Sequence, residues 1–499
     1  MSTTSTTPQK DLSPAAIMPQ HHDLYYGGCW HSPRAGTYVD TINPANGEAI
    51  IAVAQAGAED VHAAVRAASD AFALWRKVKP LERARLLKEA AAVLRAHAEE
   101  LAMLDALNTG NPVAEMVGDV RTAATMLEYF AGLVTEVKGT TIPMGEDSVN
   151  FTVREPLGVV ARIVAYNHPL MFTAMKSAAP LAAGNTVVMK PPEQAPLSAL
   201  KMAELIGDLF PPGVFNVLPG GTECGQALAS HPLVRKVTLI GSVSTGKAIM
   251  RTGADTLKPV LLELGGKNAL IVYPDADLEQ VIVGAVRGMN FTWAGQSCGS
   301  TSRLFLHASI HDRVLEGVVK LVREKHTPGM PTDWSTTMGP LVSRVQFEKV
   351  MNYIRWGKEE GARLVTGGTS PADPTLAKGF FIEPTIFADV TPSMRLAKEE
   401  IFGPVLSVLK WTEEEELFEH VNAVEYGLTA SIWTRNLVTA HRAASRVQAG
   451  YVWINHSGQH FLGAPFGGFK QSGIGREECI EELLEFTQIK NVHVHLGDS

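Results

Sequence analysis

The chain has 499 residues, of which 45% are hydrophobic and 19% are charged, and its formal net charge is −8 at pH 7. This composition is typical of a globular protein, and the length predicts two or three domains. The negative charge argues against nucleic acid or an anionic membrane surface as the main partner. The sequence has no run of about 18 apolar residues that could span a membrane.

Four cysteines are scattered along the chain without a CxxC pair: Cys29, Cys224, Cys298 and Cys479. This spacing argues against both a disulfide framework and a zinc cluster. We therefore expect a reduced, cytoplasmic protein with no metal site.

The predicted elements begin after a Ser-, Thr- and Pro-rich segment, 1–20, which we interpret as a mobile tail. Apolar residues at helical spacing predict helices over 57–78, 80–110 and 113–138. From there to residue 273, short β-branched runs alternate with helical stretches, which predicts a parallel sheet covered on both faces. A second run of the same kind follows Cys298 and predicts a second α/β domain. Ligands of such sheets bind beyond the carboxyl ends of the strands.

Two stretches have the pattern of a dinucleotide site. "TLIGSVSTGKAIM" (238–250) predicts a strand, a glycine turn and a helix start, whose free N–H groups could receive a phosphate. Its GxxxxGK spacing also fits a P-loop, but Ala248 stands where a magnesium-binding Ser or Thr is needed. In "VVMKPPEQAPLS" (187–198), Glu193 near a strand end could accept hydrogen bonds from a ribose and repel a 2′-phosphate, which favours NAD over NADP. A surface turn is the alternative there.

Three residues could carry chemistry. Cys298 lies among small residues that leave backbone N–H groups close to its sulfur. Glu263 is flanked by leucines, which should raise its pKa and suit a general base, although it could also lie on the outer face of a strand. Asn167 follows a strand, where its amide could donate to an oxyanion or could cap the next helix.

The order of these motifs along the chain is more specific than any one of them. Asn167, the Lys190 region and the glycine turn are followed by "LELGGK", "GQSC", "EEIFGPV" (399–405) and "PFGGFKQSGIGRE" (465–477). From about Tyr25 to about Val494 the sequence resembles the NAD(P)-dependent aldehyde dehydrogenase superfamily, including its general and betaine-aldehyde members.

The resemblance implies a mechanism of aldehyde oxidation to a carboxylic acid. Cys298 matches the family's nucleophile, Asn167 its oxyanion donor and Glu263 the base that activates water against a thioester. Lys176 and Glu477 match residues that relay the proton from this base, although each could equally be a member of a structural ion pair.

The resemblance also implies the cofactor contacts. Lys190 and Glu193 match an adenine-ribose clamp. Glu400 and Phe402 match contacts to the nicotinamide ribose and ring, and Phe402 could also simply pack in the core. The expected pyrophosphate turn contains Gly221, Gly241, Ser242 and Gly246. The cofactor is therefore expected to be NAD rather than NADP.

The implied α/β fold has a Rossmann-type cofactor domain, a second α/β catalytic domain and a β-arm. We expect the NAD-binding domain over 21–139 and 157–264 and the catalytic domain over 265–466. The arm would comprise 140–156 and 486–497. Because its edges need partners, a homodimer or homotetramer is expected.

The predicted substrate tunnel departs from the family pattern. His168 stands where many relatives have an aromatic residue, and Met175 where many have Trp. Other expected lining residues are Met171, Trp293, His456, His460 and Phe461, although these histidines could be structural. No arginine pair is obviously placed for a dicarboxylic semialdehyde. Betaine aldehyde and other amino-aldehydes, aromatic aldehydes and medium-chain aldehydes all remain open as substrates.

Two other activities would also use Cys298 as the nucleophile. A CoA-acylating aldehyde dehydrogenase would transfer the acyl group to CoA and would not need Glu263 to activate water. A cysteine esterase would leave the dinucleotide motifs without a purpose. The sequence favours the NAD-dependent, hydrolytic aldehyde dehydrogenase.

Overall fold

A computed structural model describes residues 12–497. The α-helices in this part of the chain are α1 (Pro14–Ile17), α2 (Ala58–Trp75), α3 (Pro80–Ala96), α4 (Ala98–Thr109), α5 (Val113–Gly132), α6 (Pro169–Ala183), α7 (Leu197–Ile206), α8 (Thr222–Ser230), α9 (Val243–Ala254), α10 (Leu278–Gly288), α11 (His311–Lys325), α12 (Arg344–Glu359), α13 (Arg395–Lys398), α14 (Glu414–Asn422), α15 (Leu437–Arg446) and α16 (Ile480–Glu485). Short 3₁₀ helices cover Gly207–Leu209, Phe291–Trp293 and Pro374–Leu376.

The strands of the described residues are β1 (Leu24–Tyr26), β2 (Cys29–His31), β3 (Tyr38–Ile42), β4 (Ala49–Ala54), β5 (Thr141–Ile142), β6 (Ser148–Pro156), β7 (Val159–Ile163), β8 (Thr186–Lys190), β9 (Phe215–Val217), β10 (Val234–Ile240), β11 (Val260–Glu263), β12 (Ala269–Val272), β13 (Arg303–His307), β14 (Arg363–Thr366), β15 (Thr385–Ala388), β16 (Val405–Trp411), β17 (Tyr426–Gly427), β18 (Thr429–Trp433), β19 (Tyr451–Ile454), β20 (Phe469–Lys470), β21 (Gly473–Ile474) and β22 (Thr487–His495).

The first sheet contains eight strands in the order β2-β1-β9-β8-β7-β10-β11-β21. The run from β9 to β11 is parallel, and β1 and β21 pair with its two ends in antiparallel orientation. Every residue of β7 and β8 is buried. Continuous apolar strands of this kind form where helices cover both faces of a parallel sheet, as the sequence predicts.

The second sheet contains seven strands in the order β14-β15-β16-β13-β12-β18-β19. All its pairs are parallel except β14 with β15. Its core is separate from the core under the first sheet. The mixed α/β architecture agrees with the expected fold class, while the exact domain boundaries stay a prediction.

Three predicted elements differ in detail. The helix expected over 113–138 ends at Gly132. The helix expected over 80–110 is two helices, because the backbone at His97 leaves helical geometry with φ −107° and ψ 18°. The predicted mobile tail, 1–20, falls partly outside the described residues. In its second half α1 forms, and Ile17 is buried against the first core.

A third sheet is formed by β5, β6 and β22. β6 and β22 pair antiparallel from Ser148 with His495 to Pro156 with Thr487. Both strands lie within the segments assigned to the arm, and its role in assembly stays a prediction. None of the helices in residues 12–497 is long and apolar enough to cross a membrane.

Candidate active site

The predicted catalytic residues come together at the wall of one cavity of about 890 Å³. Asn167 follows the carboxyl end of β7, and Glu263 is the last residue of β11. Cys298 lies in the loop between the 3₁₀ helix Phe291–Trp293 and β13. Lys176 and Glu477 also line this cavity. The site therefore lies where a parallel sheet is expected to bind its ligands.

The cysteine loop is held by the "LELGGK" segment. The side-chain amide of Asn268, the residue after this motif, donates hydrogen bonds to the carbonyl oxygens of Cys298 (2.7 Å) and Ser300 (3.0 Å). A Cβ at Gly266 would lie only 2.5 Å from the carbonyl oxygen of Cys298, so only glycine allows this approach. Sequence reasoning did not single out Asn268, although its position directly after a conspicuous motif was the available signal.

Cys298 and Glu263 influence each other strongly. Burial raises the pKa of Glu263 to about 8, and the neighbouring Glu477 adds to the rise while Cys298 and Lys176 oppose it. The pKa of Cys298 lies well above its ordinary value because its surroundings exclude water and because Glu263 is close. Oε1 of Glu263 has no hydrogen-bond partner among the described residues. In this arrangement a neutral thiol faces a carboxyl group that can exchange a proton near neutral pH.

The Asn167 side chain faces the cavity. The residue is 4% exposed, lines the cavity and makes no side-chain hydrogen bond to the described protein. Its carbonyl oxygen accepts a hydrogen bond from Nδ2 of Asn111 at 2.8 Å, which fixes the backbone of the turn. The N-cap position of α6 belongs to His168 instead, so the capping alternative for Asn167 is not what the structure shows.

Lys176 and Glu477 form an ion pair of 2.9 Å inside the protein. Burial alone would lower the pKa of Lys176, but Glu477 and two further carboxylates raise it above its ordinary value. Arg162, which is fully buried, lies 3.1 Å from Oε1 of Glu482 and 4.0 Å from Oε1 of Glu477. The cluster therefore connects the cavity with a buried network of charges.

The predicted adenine-ribose residues lie beside the first sheet. Lys190 ends β8 and is almost buried, and its Nζ donates to the carbonyl oxygen of Pro191. Glu193 is exposed, and a Cβ at Gly221 would be 3.4 Å from both of its carboxylate oxygens. Burial lowers the pKa of Lys190. Glu193 thus lies beside Gly221 and Lys190 beside Gly225, both at the start of α8.

The glycine turn joins β10 to α9. Gly241 follows the end of β10, and Ser242 is the N-cap of α9, where its Oγ accepts from the N–H of Thr245 at 3.3 Å. A Cβ at Gly246 would meet the side chain of Leu264 at 2.9 Å, so the helix packs closely against the chain after β11. This strand, turn and helix N-terminus is the geometry that receives phosphates.

Glu400 and Phe402 lie on the other side of the cysteine loop. Oε1 of Glu400 accepts from the N–H of Gly266 at 2.8 Å, and burial raises the pKa of Glu400. Phe402 has φ +57°, an uncommon conformation for a bulky residue. The side-chain amide of Gln346 holds it by donating to the carbonyl oxygens of Ile401 (3.0 Å) and Phe402 (2.7 Å). Sequence reasoning missed Gln346, for which no motif gave a signal.

Five of the seven predicted substrate residues line the cavity: His168, Met171, Met175, Trp293 and His460. The other two predicted residues, His456 and Phe461, are not among the residues that line this cavity, and their part in a substrate site stays a prediction. Nε2 of His456 is 3.4 Å from a guanidinium nitrogen of Arg287, and Phe461 is 52% exposed.

Five charged lining residues were missed: Glu115, Asp119, Arg121, Arg287 and Glu478. The two arginines lie on separate helices, and their sequence surroundings give no sign that both reach one cavity. Both arginines thus line the cavity, while the expectation that no arginine pair is placed for a dicarboxylic semialdehyde stays a prediction.

Comparisons with known proteins agree with this geometry. The model of the aldehyde dehydrogenase family matches residues 30–492. The chain is 55% identical over 486 residues to aldehyde dehydrogenase tropH of Talaromyces stipitatus, covering 96% of this chain and 94% of that protein.

Solved structures superpose closely as well. An NAD⁺ complex of an aldehyde dehydrogenase from Bacillus cereus has a TM-score of 0.94 and 41% identity, covering 99% of this chain and 100% of that one. Betaine aldehyde dehydrogenase from Staphylococcus aureus in complex with NAD⁺ has a TM-score of 0.93 and 34% identity, covering 96% of each chain. The fold is thus that of a cofactor-dependent oxidoreductase with two α/β sheets. The chain belongs to the aldehyde dehydrogenase family, which confirms the resemblance and the fold class found from its sequence.

Proposed function

We propose that this protein oxidises an aldehyde to its carboxylic acid with NAD⁺, using Cys298 as nucleophile and Glu263 as base. The observation that carries the proposal is the meeting of Cys298, Glu263 and Asn167 at one cavity wall. Family membership supports aldehyde oxidation in general. NAD as cofactor, expected from the sequence, is supported by the NAD⁺ complexes of two relatives.

The residues present fit a dinucleotide. Glu193 beside Gly221 and Lys190 beside Gly225 would hold the adenine ribose. The turn at Gly241 and Ser242 would receive the pyrophosphate. Glu400, close to the cysteine loop, would bind the nicotinamide ribose. The Glu193 carboxylate disfavours a 2′-phosphate, which is the basis for NAD over NADP.

Catalysis begins with the loss of the Cys298 proton. The adjacent Glu263 carboxylate, whose pKa of about 8 is close to neutrality, accepts it. The thiolate attacks the aldehyde carbon, and the oxygen that becomes negative receives a hydrogen bond from the Asn167 amide. Loss of one donor of this kind reduces the rate by about 10²–10³.

When bound, NAD⁺ would supply the acceptor for the hydride of the thiohemiacetal carbon, which would leave a thioester on Cys298. Glu263 first passes on the proton that it took from Cys298; it then takes a proton from a water molecule, and the hydroxide displaces the thiolate to release the acid. The sum is aldehyde, NAD⁺ and water giving carboxylate, NADH and two protons. Lys176 and Glu477 would carry the proton from Glu263 towards the buried charge network.

The remaining expectations stay part of this proposal. The arm of β6 and β22 would mediate a homodimer or homotetramer, and the protein would act in the cytoplasm on a small-molecule aldehyde. Betaine aldehyde is a candidate substrate by analogy with the relative of that name.

The decisive experiment combines NADH absorbance with intact mass. Cys298→Ser should abolish NADH formation while NAD⁺ still binds, and Cys29→Ser, which changes an exposed cysteine, should leave turnover intact. Glu263→Gln should accumulate the acyl-enzyme after mixing with aldehyde and NAD⁺. Turnover that persists in Cys298→Ser would refute the nucleophile.

Product analysis separates the two other activities. An acyl-CoA product that forms only when CoA is added would identify a CoA-acylating enzyme. Ester hydrolysis that NAD⁺ does not affect, with no NADH from any aldehyde, would identify an esterase. The buried Glu263 beside Cys298 favours hydrolysis over transfer to CoA.

A further inference from the structure

His168 and Asp119 form a buried pair in the wall of the cavity. Oδ2 of Asp119, on α5, lies 2.6 Å from Nδ1 of His168, and the two side chains are 10% and 11% exposed. A neutral imidazole carries one proton, and a facing carboxylate keeps that proton on the nitrogen beside it. In the neutral ring Nδ1 therefore donates to Asp119, and Nε2 keeps a lone pair that can accept a hydrogen bond.

The direction of this ring is fixed by packing. Trp293 and Phe172 meet it edge-on, with ring centroids 5.2 Å and 5.4 Å away. The backbone just before it is held by the hydrogen bond from Asn111 to Asn167. Nε2 makes no hydrogen bond to the described protein, and His168 lines the cavity. An acceptor is thus presented next to the residue that would bind the oxyanion.

We propose that His168 is a specificity-determining residue that accepts a hydrogen bond from a hydroxyl group of the substrate, and that the preferred substrates are hydroxylated aromatic aldehydes. The proposal rests on the proposed function. The aromatic class follows from the rest of the wall, where Trp293, Phe172 and Phe466 provide rings and Met171 and Met175 provide adaptable apolar contacts.

The expected selectivity for hydroxylated substrates follows from the cost of leaving Nε2 of His168 without a hydrogen-bond donor. A substrate without a hydroxyl group displaces water from Nε2 and gives it no partner in return. Leaving a buried acceptor unsatisfied reduces binding by about 10- to 100-fold. A hydroxyl group that donates to Nε2 avoids this loss.

The test measures NADH formation at saturating NAD⁺ from benzaldehyde, its three hydroxy isomers and the corresponding methyl ethers. At least one hydroxybenzaldehyde should have a kcat/KM at least about 10-fold above both benzaldehyde and its own methyl ether, mainly through KM. His168→Phe keeps a ring of similar size but removes Nε2. The ratio of kcat/KM for the preferred hydroxybenzaldehyde to that for benzaldehyde should therefore fall to near one. Thr122→Val, which removes a hydroxyl elsewhere on the same wall, should preserve the ratio.

A second variant separates this role from folding. Asp119→Leu leaves the imidazole in place but no longer fixes its proton on Nδ1, so it should lower the same ratio. If His168→Phe does not fold, Asp119→Leu and the selectivity of the unmodified enzyme still test whether His168 sets the preference for a hydroxyl group.

Several results would overturn the proposal. They are an unchanged ratio in both variants, a preference for the methyl ethers, turnover of aliphatic aldehydes alone, and a preference for carboxybenzaldehydes, which would point to Arg121 and Arg287 instead. If no aldehyde of any kind yields NADH, the proposed function itself fails, and that outcome is distinct from the loss of hydroxyl selectivity.

Discussion

Nζ of Lys176 and Oε2 of Glu477 lie 2.9 Å apart, and the two side chains are only 3% and 4% exposed. Lys176→Met would leave Glu477 buried with Arg162 as its nearest cation, 4.0 Å away. Breaking a buried pair in this way costs about 3–5 kcal/mol, so we expect a loss of that order in the free energy of unfolding by urea. Lys490→Met, which breaks the exposed pair with Glu155, is the control and should have no measurable effect.

The double variant Lys176→Met/Glu477→Gln tests the relay separately. Removing both charges should restore most of the stability, because no unpaired ion remains. If Lys176 carries protons, the pH profile of kcat stays altered in the stable double variant. A wild-type profile there would mean that the pair has only a structural role.

Glu263 makes the stability depend on pH. Burial raises its pKa from 4.5 to about 8, so between these values the folded protein holds a proton that the unfolded chain has lost. The contribution of this group to stability therefore falls as the pH rises through that window. In Glu263→Gln the dependence is absent, and the gain in Tm over the unmodified protein should grow from pH 5 to pH 8 and then level off. Thermal unfolding at several pH values checks this, with the exposed Glu419→Gln as control; a constant difference would contradict the raised pKa.

Glu193 should set the preference between the two nicotinamide cofactors. Its exposed carboxylate would repel a 2′-phosphate, and removal of one solvated charge changes binding by about a factor of 5–10 at low ionic strength. Glu193→Gln should therefore raise the ratio of kcat/KM for NADP⁺ to that for NAD⁺ by this factor, and added salt should reduce the gain. Glu223→Gln, which removes a carboxylate that accepts from the N–H of Ala58, should leave the ratio unchanged. No shift in Glu193→Gln would remove this residue from the ribose site.

Gly265 should be essential for the position of Glu400. A Cβ at Gly265 would lie 2.2 Å from Oε2 and 2.8 Å from Oε1 of Glu400, so Gly265→Ala must push the carboxylate aside. We expect a rise in the Kd for NAD⁺ of about 10-fold or more, since one hydrogen bond to a charged group is lost. Gly118→Ala, in open space on α5, should bind NAD⁺ normally. Equal affinity in both variants would contradict the assignment of Glu400.

The sequence was sufficient for the parts of the fold that depend on local pattern. The buried strands β7, β8 and β10 follow from their β-branched runs, and the order of motifs identified the family. The break at His97 was not predictable, because the apolar spacing continues through it and only the packing of two helices requires the turn.

The site was predictable where a residue belongs to a motif and not where two elements meet. In the sequence Asp119 is an ordinary charged residue of a predicted helix. Only the folded structure places it in contact with His168, which lies 49 residues further along the chain. Arg121 and Arg287 were missed for the same reason. His456 and Phe461 are outside the lining of the cavity, and the path of their loop of glycines and polar residues is not fixed by its composition.

The pairing of β6 with β22 has a consequence for biosynthesis. Its partners, such as Ser148 and His495, are separated by most of the chain, and closing so long a loop is slow. While a ribosome is still making the last strand, β6 presents a row of unpaired backbone groups to other nascent chains. This edge is where we expect chaperones to act, and where premature termination would turn a nearly finished polypeptide into an aggregating one.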